Sequence, residues 1–383
     1  MHNFGTLLRF ELRKIFAGRI TVAALIISAL MLFIISWQDY LTMPWLANSW
    51  EDELFLDGAV MDDSFFQVLR TVYDEEWDYP KDSPYRFAAR YVNWVLDADA
   101  GQESVKGQIE VNELSSEDFY VQREHLLDIF KEPYFLSEEE ENWWREQENA
   151  VDKPFEYKSI QGLLNMWDSY KWTFVLASLI IGLCLSSTFA GEKARRTDAL
   201  IYSSKHGKKR LFEVKLLSGI IFSMTTGMGF LFVVHIPIFW YCGLHNIHAP
   251  WQMINPFSPI HREAAQMLLL YSVVYITACV MAGIFSMFLS VIFHQAVAVI
   301  GVHFGVLLGN LFLEIPSSLR VAAQIYGLTP LKVLNNSFQQ DLRLVKIFGN
   351  FLTAEQIAPI LFLGLSVLMS VVGGISYRKK SIA

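Results

Sequence analysis

Residues 264–313 read AAQMLLLYSVVYITACVMAGIFSMFLSVIFHQAVAVIGVHFGVLLGNLFL, a run of 50 residues without Asp, Glu, Lys or Arg. As an α-helix this run would be about 75 Å long, because each residue adds about 1.5 Å, whereas the hydrocarbon core of a bilayer is about 30 Å thick. The run must therefore turn once, and His294-Gln295 is the natural place. The stretch predicts two membrane-spanning helices, at about 265–293 and 295–313.

Four further stretches have the length and apolarity of one membrane crossing. They are residues 20–38, about 172–191, 216–241 and 356–377. The Pro- and His-containing stretch 242–264 favours a loop. The first span is expected to be retained, because its apolar run is longer than the usual 7–15 residues or so of a signal peptide. The sequence thus predicts an α-helical polytopic membrane protein with six transmembrane helices and both termini on one side.

The formal charges divide the chain into two opposed regions. Residues 39–170, here called the acidic domain, hold 31 of the 39 acidic and 10 of the 31 basic side chains, so their net charge is −21 against +13 elsewhere. A membrane between two compartments explains this division, and we expect no nucleic-acid partner. None of the three cysteines lies in the acidic domain, so it needs an apolar core of its own. We expect a mixed extracytoplasmic fold there.

The basic residues predict the orientation. Fifteen Lys and Arg lie in short segments on the side of the termini, whereas the short loops on the other side hold five, namely Arg262, Arg320, Lys332, Arg343 and Lys346. Short cytoplasmic segments are the ones enriched in Lys and Arg. Both termini and the loop 192–215 are therefore predicted to be cytoplasmic, with the acidic domain outside.

Residues 1–19 predict an amphipathic helix along the cytoplasmic interface, because apolar side chains recur at helical period. Its polar side chains include Arg9, Arg13 and Lys14. Glu11 interrupts the apolar arc. It either anchors the helix to a basic neighbour or snorkels to water, and snorkelling is the favoured interpretation.

Three stretches resemble a known family: RFELRKIF at 9–16, GEKARRTDALIYSS at 191–204 and KKRLFEVK at 208–215. They are similar to segments of membrane (permease) subunits of type-2 ATP-binding-cassette (ABC) exporters, and the similarity covers residues 1–38 and 171–383. In that family an interfacial helix precedes the first span, and a charged coupling helix after the second span docks on a separate ATPase. The resemblance therefore implies an ATPase-coupling set of Glu192, Arg195, Arg196, Thr197, Leu200 and Ile201. A solvated positive-inside loop explains the charges of 192–215, but not the apolar segment between its basic clusters.

The resemblance also implies partners and a location. The partners would be a cytoplasmic ABC ATPase, a second permease copy or related subunit, and membrane lipids, in a bacterial cell membrane. The exported substrate would be a peptide, antimicrobial peptides included, or an amphipathic lipid-like compound. No GxxxxGK[ST] phosphate loop occurs in the chain. We therefore expect no catalytic residues and no bound cofactor here, with ATP and magnesium on the partner ATPase.

Two sets of residues inside the spans are further candidates. Gly301, Gly305 and Gly309 recur every four residues, so one helix face is smooth enough for another backbone to approach closely. That neighbour could belong to a second permease subunit or to the same chain. His235 and His303 are candidate pathway residues, although a neutral histidine hydrogen-bonded between helices is the favoured interpretation. The histidines of 242–264 lack Cys or carboxylate at ligand spacing, so no metal is expected.

Two other functions compete with transport. A ligand-sensing membrane protein could use the acidic domain to detect or sequester cationic peptides, although the charge is explained more simply by solubility. Such a sensor would be expected to carry a cytoplasmic output domain, for which no inner segment is long enough. A membrane-embedded enzyme would need paired carboxylates, a Ser/Lys dyad or metal-spaced ligands at membrane depth, and the predicted spans offer none.

Overall fold

A computed structural model describes residues 2–42, 56–74, 76–80, 83–97, 109–194, 207–242, 245–293, 295–335 and 341–379. About 74% of the structure is helical. In chain order the α-helices are α1 (His2–Phe16), α2 (Arg19–Thr42), α3 (Asp63–Arg70), α4 (Arg86–Leu96), α5 (Ser116–Lys131), α6 (Glu138–Asn149), α7 (Gln161–Leu185), α8 (Ser187–Ala194), α9 (Gly207–Cys242), α10 (Trp251–Ile254), α11 (Ala264–Ile292), α12 (Ala296–Phe312), α13 (Arg320–Gly327), α14 (Pro330–Val333) and α15 (Ala354–Lys379). The strands β1 (Val345–Ile347) and β2 (Asn350–Leu352) form an antiparallel hairpin, and 3₁₀ turns occur at Val111–Glu113 and Glu132–Tyr134.

Five stretches of helix are long and apolar enough to cross a membrane. They are Arg19–Gln38 in α2, Gly162–Glu192 through α7 and α8, Lys209–Trp240 in α9, and the whole of α11 and α15. Helix α12 is also apolar but has only 17 residues. The chain is therefore a helical, multi-pass membrane protein, as the charge-free runs predict.

Two of these helices begin earlier than the sequence predicts. Helix α7 begins at Gln161, although Asp168 and Lys171 interrupt the apolar pattern of its first half. Lys171 Nζ donates a hydrogen bond to Asn335 Oδ1 at 2.9 Å. Helix α9 begins at Gly207 and continues through the basic cluster before Lys215. In both cases a partner holds a charged side chain, Lys171 or Lys215, that sequence reasoning leaves outside the predicted span.

Helix α11 is the centre of the helical bundle. It packs against α7, α9, α12 and α15, while α2 packs on the outside against α9 and α7. The contact between α9 and α11 is close, because a Cβ atom on Gly283 would overlap Ser223 Oγ. A side chain at position 283 would require Ser223 or the two helices to shift.

The acidic domain has a second core, built by α3, α4 and α5. Phe66, Leu69, Ala89, Val92 and Phe119 are fully buried in it. Ser137 caps α6, since its Oγ accepts a hydrogen bond from Glu140 N and the Glu140 carboxylate accepts one from Ser137 N. The second core also contains Ala249, Met253 and Phe257 from the loop between α9 and α11. That loop thus packs into the core of the acidic domain.

A buried arginine joins this loop to the acidic domain. Arg123 of α5 is fully buried and donates to Pro256 O at 2.7 Å and to Ser258 O at 3.2 Å. Its charge is balanced by Glu148 of α6, with Nη1 and Oε1 2.5 Å apart. Although burial raises it, hydrogen bonds from Arg123 and Lys153 leave the pKa of Glu148 below its ordinary value.

The segment between α12 and α15 is joined to the same domain through α6. Trp144 Nε1 donates to Leu342 O at 2.7 Å, Leu344 N donates to Glu140 Oε1 at 3.0 Å, and Arg320 forms an ion pair with Glu140. The acidic domain therefore contacts the chain at one end of α9, α11, α12 and α15. We call this end of the bundle the domain face, and the opposite end, with Glu192 and Lys215, the loop face.

Candidate functional site

A buried ion pair lies at the loop face, where the chain leaves α8 and returns in α9. Lys215 of α9 has no exposed surface and forms an ion pair with Glu192 of α8. Its Nζ also donates to Thr188 O at 2.7 Å and lies 5.1 Å from the centre of the Phe189 ring. Charge, hydrogen bond and aromatic ring together compensate an ammonium group that burial would otherwise disfavour.

Helix α11 orients α8, the helix that contains Glu192. The helix breaks at Ser186, between α7 and α8. At this break Ser290 Oγ of α11 donates to Ser186 O at 2.7 Å and accepts from Phe189 N at 3.0 Å and Ala190 N at 2.9 Å. A serine from another helix therefore does the work of an N-cap for α8. The ends of the loop between α8 and α9 are positioned by the packed core.

The N-terminal helix contains a second buried carboxylate, Glu11, which is only 6% exposed. Lys14 Nζ of the same helix lies 3.7 Å from this carboxylate. The burial of Glu11 beside Lys14 agrees with an anchor to a basic neighbour, the other interpretation of Glu11, and not with snorkelling to water. Arg9, Arg13 and Lys14 are exposed, and α1 packs against α9.

The structure describes Glu11 and Glu192 but leaves most of the coupling set undescribed. Arg195, Arg196, Thr197, Leu200 and Ile201 lie outside the described residues. Sequence reasoning missed Lys215 and Ser290. In the sequence, Lys215 looks like one more basic residue of a cytoplasmic loop. Only its position directly before the apolar run of α9 indicates that it could be buried.

The two candidate pathway histidines both contact serines of α7. His235 Nε2 of α9 lies 3.0 Å from Ser169 Oγ, and His303 Nε2 of α12 lies 3.1 Å from Ser178 Oγ. This geometry agrees with the favoured interpretation of histidines hydrogen-bonded between helices. His303 packs tightly as well, since a Cβ atom on Gly182 would lie 2.6 Å from its Cδ2.

A mainly apolar cavity of about 290 Å³ lies beside His303. Its lining includes Ser178, Met281, Phe285, Asn310 and Met369. The Nδ1 atom of His303 is buried and has no hydrogen-bond partner among the described residues. The cavity thus combines mainly apolar walls with a few polar side chains, an arrangement that suits an amphipathic molecule.

The glycine face of α12 is open within the described part of the chain. A Cβ atom on Gly301 or Gly305 would have no neighbour within 4 Å, and one on Gly309 would meet only Leu313, the residue directly after the helix. The three glycines therefore do not pack tightly against another described segment of the same chain. Among the described residues there is also no group of three or more His, Cys, Asp or Glu placed to hold a metal ion.

Comparisons with known proteins do not assign the chain to a family. No protein-family model matches it, and neither the curated proteins nor the solved structures contain a match.

Proposed function

We propose that this chain is the membrane (permease) subunit of an ABC exporter in a bacterial cell membrane. A separate cytoplasmic ATPase, which holds ATP and magnesium, drives it through the loop between α8 and α9. The observation that carries the proposal is the ion pair between Lys215 and Glu192, which ties both ends of this loop to the bundle. A rigid base of this kind suits a segment that must transmit force from a docked partner.

The proposal includes α12 as a sixth span. Helix α11 ends at the loop face, whereas the chain after α12 is hydrogen-bonded to the acidic domain at the domain face. The 17 residues of α12 are about 25 Å long as a helix, close to the thickness of about 30 Å that a crossing requires. Six crossings then place both termini at the loop face.

The charge distribution supports the orientation of this topology. The loop face is the side with fifteen Lys and Arg in short segments, and the domain face carries the acidic domain. By the positive-inside rule, the loop face is cytoplasmic and the acidic domain is extracytoplasmic. An ATPase in the cytoplasm would then meet α1 and the coupling set together.

The substrate proposed is a peptide or an amphipathic lipid-like compound. The cavity beside His303 supports this class, because it combines mainly apolar walls with a few polar side chains. A second permease copy or related subunit would pack on the open glycine face of α12, where two backbones can approach closely.

The test is purification of the tagged full-length chain from its native membranes, followed by identification of the co-purifying chains. We expect an ATP-binding chain. Leu200→Ala with Ile201→Ala should release it, because apolar anchors contribute most to a docking surface. Lys208→Ala, which removes one charge, should have little effect. If no ATP-binding chain co-purifies, or if the double variant keeps full ATPase binding and transport at normal expression, the proposed docking site is wrong.

A further inference from the structure

Two lysines lie close together at the domain face, one on α7 and one on α14. Lys171 Nζ of α7 donates a hydrogen bond to Asn335 Oδ1 at 2.9 Å, and Asn335 N donates one to Lys332 O at 3.3 Å. The two lysines are therefore held on either side of one asparagine. Both are half-buried, so each is still accessible from outside the protein.

The described neighbours of these lysines leave their charges unbalanced. Lys171 contacts the neutral amide of Asn335, and its Nζ lies 5.4 Å from the centre of the Trp172 ring. Lys332 Nζ lies 5.3 Å from the centre of the Tyr326 ring. Neither lysine forms an ion pair with a carboxylate in the described part of the chain. An ammonium group has three N–H donors, so both lysines can donate to an anion without losing these contacts.

The lysine pair lies at the depth of the lipid headgroups. Lys171 directly precedes the charge-free run 172–191, and Trp172 beside it is exposed. Aromatic side chains and lysines at the end of a span are typical of the headgroup layer, where lipid phosphates are the abundant anions. The acidic domain does not prevent contact with a phosphate, since the field of exposed charges is screened within about 8 Å at physiological salt.

The cavity beside His303 begins next to this pair. Phe174, which lines the cavity, follows Lys171 by three residues and so lies on the same face of α7. Leu331, which lines it from α14, directly precedes Lys332. The two lysines therefore lie at the domain-face end of a mainly apolar cavity.

The cavity opens sideways between two membrane helices. Val306 of α12 and Leu365 of α15 both line it, and they are 55% and 40% exposed. Because both residues belong to apolar helices, this opening faces the hydrocarbon of the membrane and not water. An apolar cavity that is open to hydrocarbon and ends at two cations fits a molecule with an apolar chain and an anionic head.

We propose that the cavity binds an acyl chain of a phospholipid from the leaflet at the domain face, with the lipid phosphate between Lys171 and Lys332. The phosphate would accept charge-assisted hydrogen bonds from both ammonium groups. The acyl chain would contact Phe174 and Val306. This inference rests on the proposed function where it narrows the substrate to a phosphate-bearing lipid, whereas binding itself requires no ATPase.

The test is native mass spectrometry of the purified full-length chain, released from detergent after titration with dioleoylphosphatidylglycerol. Dioleoylglycerol keeps the acyl chains without the phosphate, and glycerophosphoglycerol keeps the phosphate without the chains. We expect one saturable phospholipid site, with an affinity at least about 10-fold above that of either control. Equal binding of dioleoylglycerol or of glycerophosphoglycerol would overturn the proposal. The chain is tested without an ATPase, so this result is independent of the ATPase purification.

Lysine variants test where the phosphate lies. Lys171→Gln and Lys332→Gln should each weaken binding of dioleoylphosphatidylglycerol about 5-fold, because each removes one charge-assisted contact. Lys346→Gln removes the same charge from an exposed position outside the cavity wall, and it should leave affinity within about 2-fold. Equal losses in all three variants would overturn the proposed phosphate site.

Tryptophan variants test where the acyl chain lies. Val306→Trp narrows the opening of the cavity and should weaken binding of dioleoylphosphatidylglycerol about 5-fold, because it competes with the chain for space. Leu308→Trp places the same ring on α12 at an exposed position outside the cavity lining, and it should leave binding unchanged. Both positions are exposed, so both variants should fold. Equal affinities of the two variants would show that the acyl chain does not enter the cavity.

Discussion

Lys215 is the residue on which the loop face depends. An ammonium group without exposed surface is tolerated only because Glu192, Thr188 and Phe189 surround it. Removing one partner of such a pair leaves the other charge unpaired in a place that water hardly reaches. Replacing both partners removes the charges together and is far less costly.

A double-mutant cycle measures this dependence. Lys215→Met alone should lower the free energy of unfolding by about 3 kcal/mol, whereas Lys215→Met with Glu192→Met should recover most of that loss. Thermal unfolding in detergent checks the stability, and ATPase co-purification checks the coupling. If Lys215→Met alone unfolds at the same temperature as the unaltered chain, the pair does not hold the loop.

Glu148 provides a prediction about pH. Its pKa in the folded protein lies below its ordinary value near 4.5, so the carboxylate stabilises the fold above that value. This stability should be lost as the pH falls through the lower, folded-state pKa. Glu148→Gln should therefore destabilise the protein at pH 7 and flatten the acid limb of a stability-against-pH curve. Glu124→Gln, at an exposed carboxylate that contacts the same Lys153, is the control and should preserve the acid limb.

Among the elements, α12 carries two kinds of glycine contact. Gly182 of α7 lies under His303, and an added Cβ atom would meet the imidazole at 2.6 Å, whereas Gly301 on the other side of α12 has open space. Gly182→Ala should therefore destabilise the single chain by about 1–3 kcal/mol. Gly301→Ala should leave single-chain stability unchanged or slightly higher, because Ala favours helix.

The same pair of variants tests the proposed subunit contact. If the glycine face packs on a second permease subunit, Gly301→Ala should weaken self-association or association with the related subunit, measured by cross-linking in membranes. Gly182→Ala should not do so at equal amounts of folded protein. Unchanged association in Gly301→Ala would argue that α12 faces lipid.

The elements differ in how far sequence predicts them. Helices α7, α9, α11, α12 and α15 follow from charge-free runs, because apolar length alone selects a membrane helix. Whether the break between α11 and α12 separates two full crossings depends on contacts at the far end of α12, which composition does not encode. The burial of the loop between α9 and α11 was not predictable either. It depends on Arg123, which lies 133 residues before its acceptor Pro256 in the chain.

The sequence pattern predicts the residues of the candidate site less well than it predicts the helices. Glu192 stands out by family resemblance, but its partner Lys215 looks like an ordinary loop cation. The cavity beside His303 is lined by residues of α7, α11, α12, α14 and α15, so no local motif marks it. Long-range pairing of charged and aromatic side chains is what a single sequence leaves open.

At the scale of the whole molecule, the six-span topology makes a labelling prediction. Single cysteines replace Lys209, Lys379 and Glu139, all of which are exposed. An impermeant thiol reagent added to intact cells should label Glu139→Cys but neither Lys209→Cys nor Lys379→Cys, because the loop face is cytoplasmic in the proposal. The unsubstituted chain corrects for the three native cysteines, and permeabilised cells should label all three sites. Labelling of Lys379→Cys in intact cells would contradict the six-span topology.

The attachment of Arg123 to Pro256 and Ser258 also has a consequence for how the protein is made. Synthesis proceeds from the N-terminus, so α3 to α6 leave the ribosome well before residues 245–263 exist. Until those residues arrive, the buried guanidinium lacks two backbone acceptors, and the hydrophobic core lacks Ala249, Met253 and Phe257. The acidic domain must therefore wait, incompletely packed, while α7 and α9 are inserted. Its last step of folding is coupled to membrane insertion of the chain that follows it.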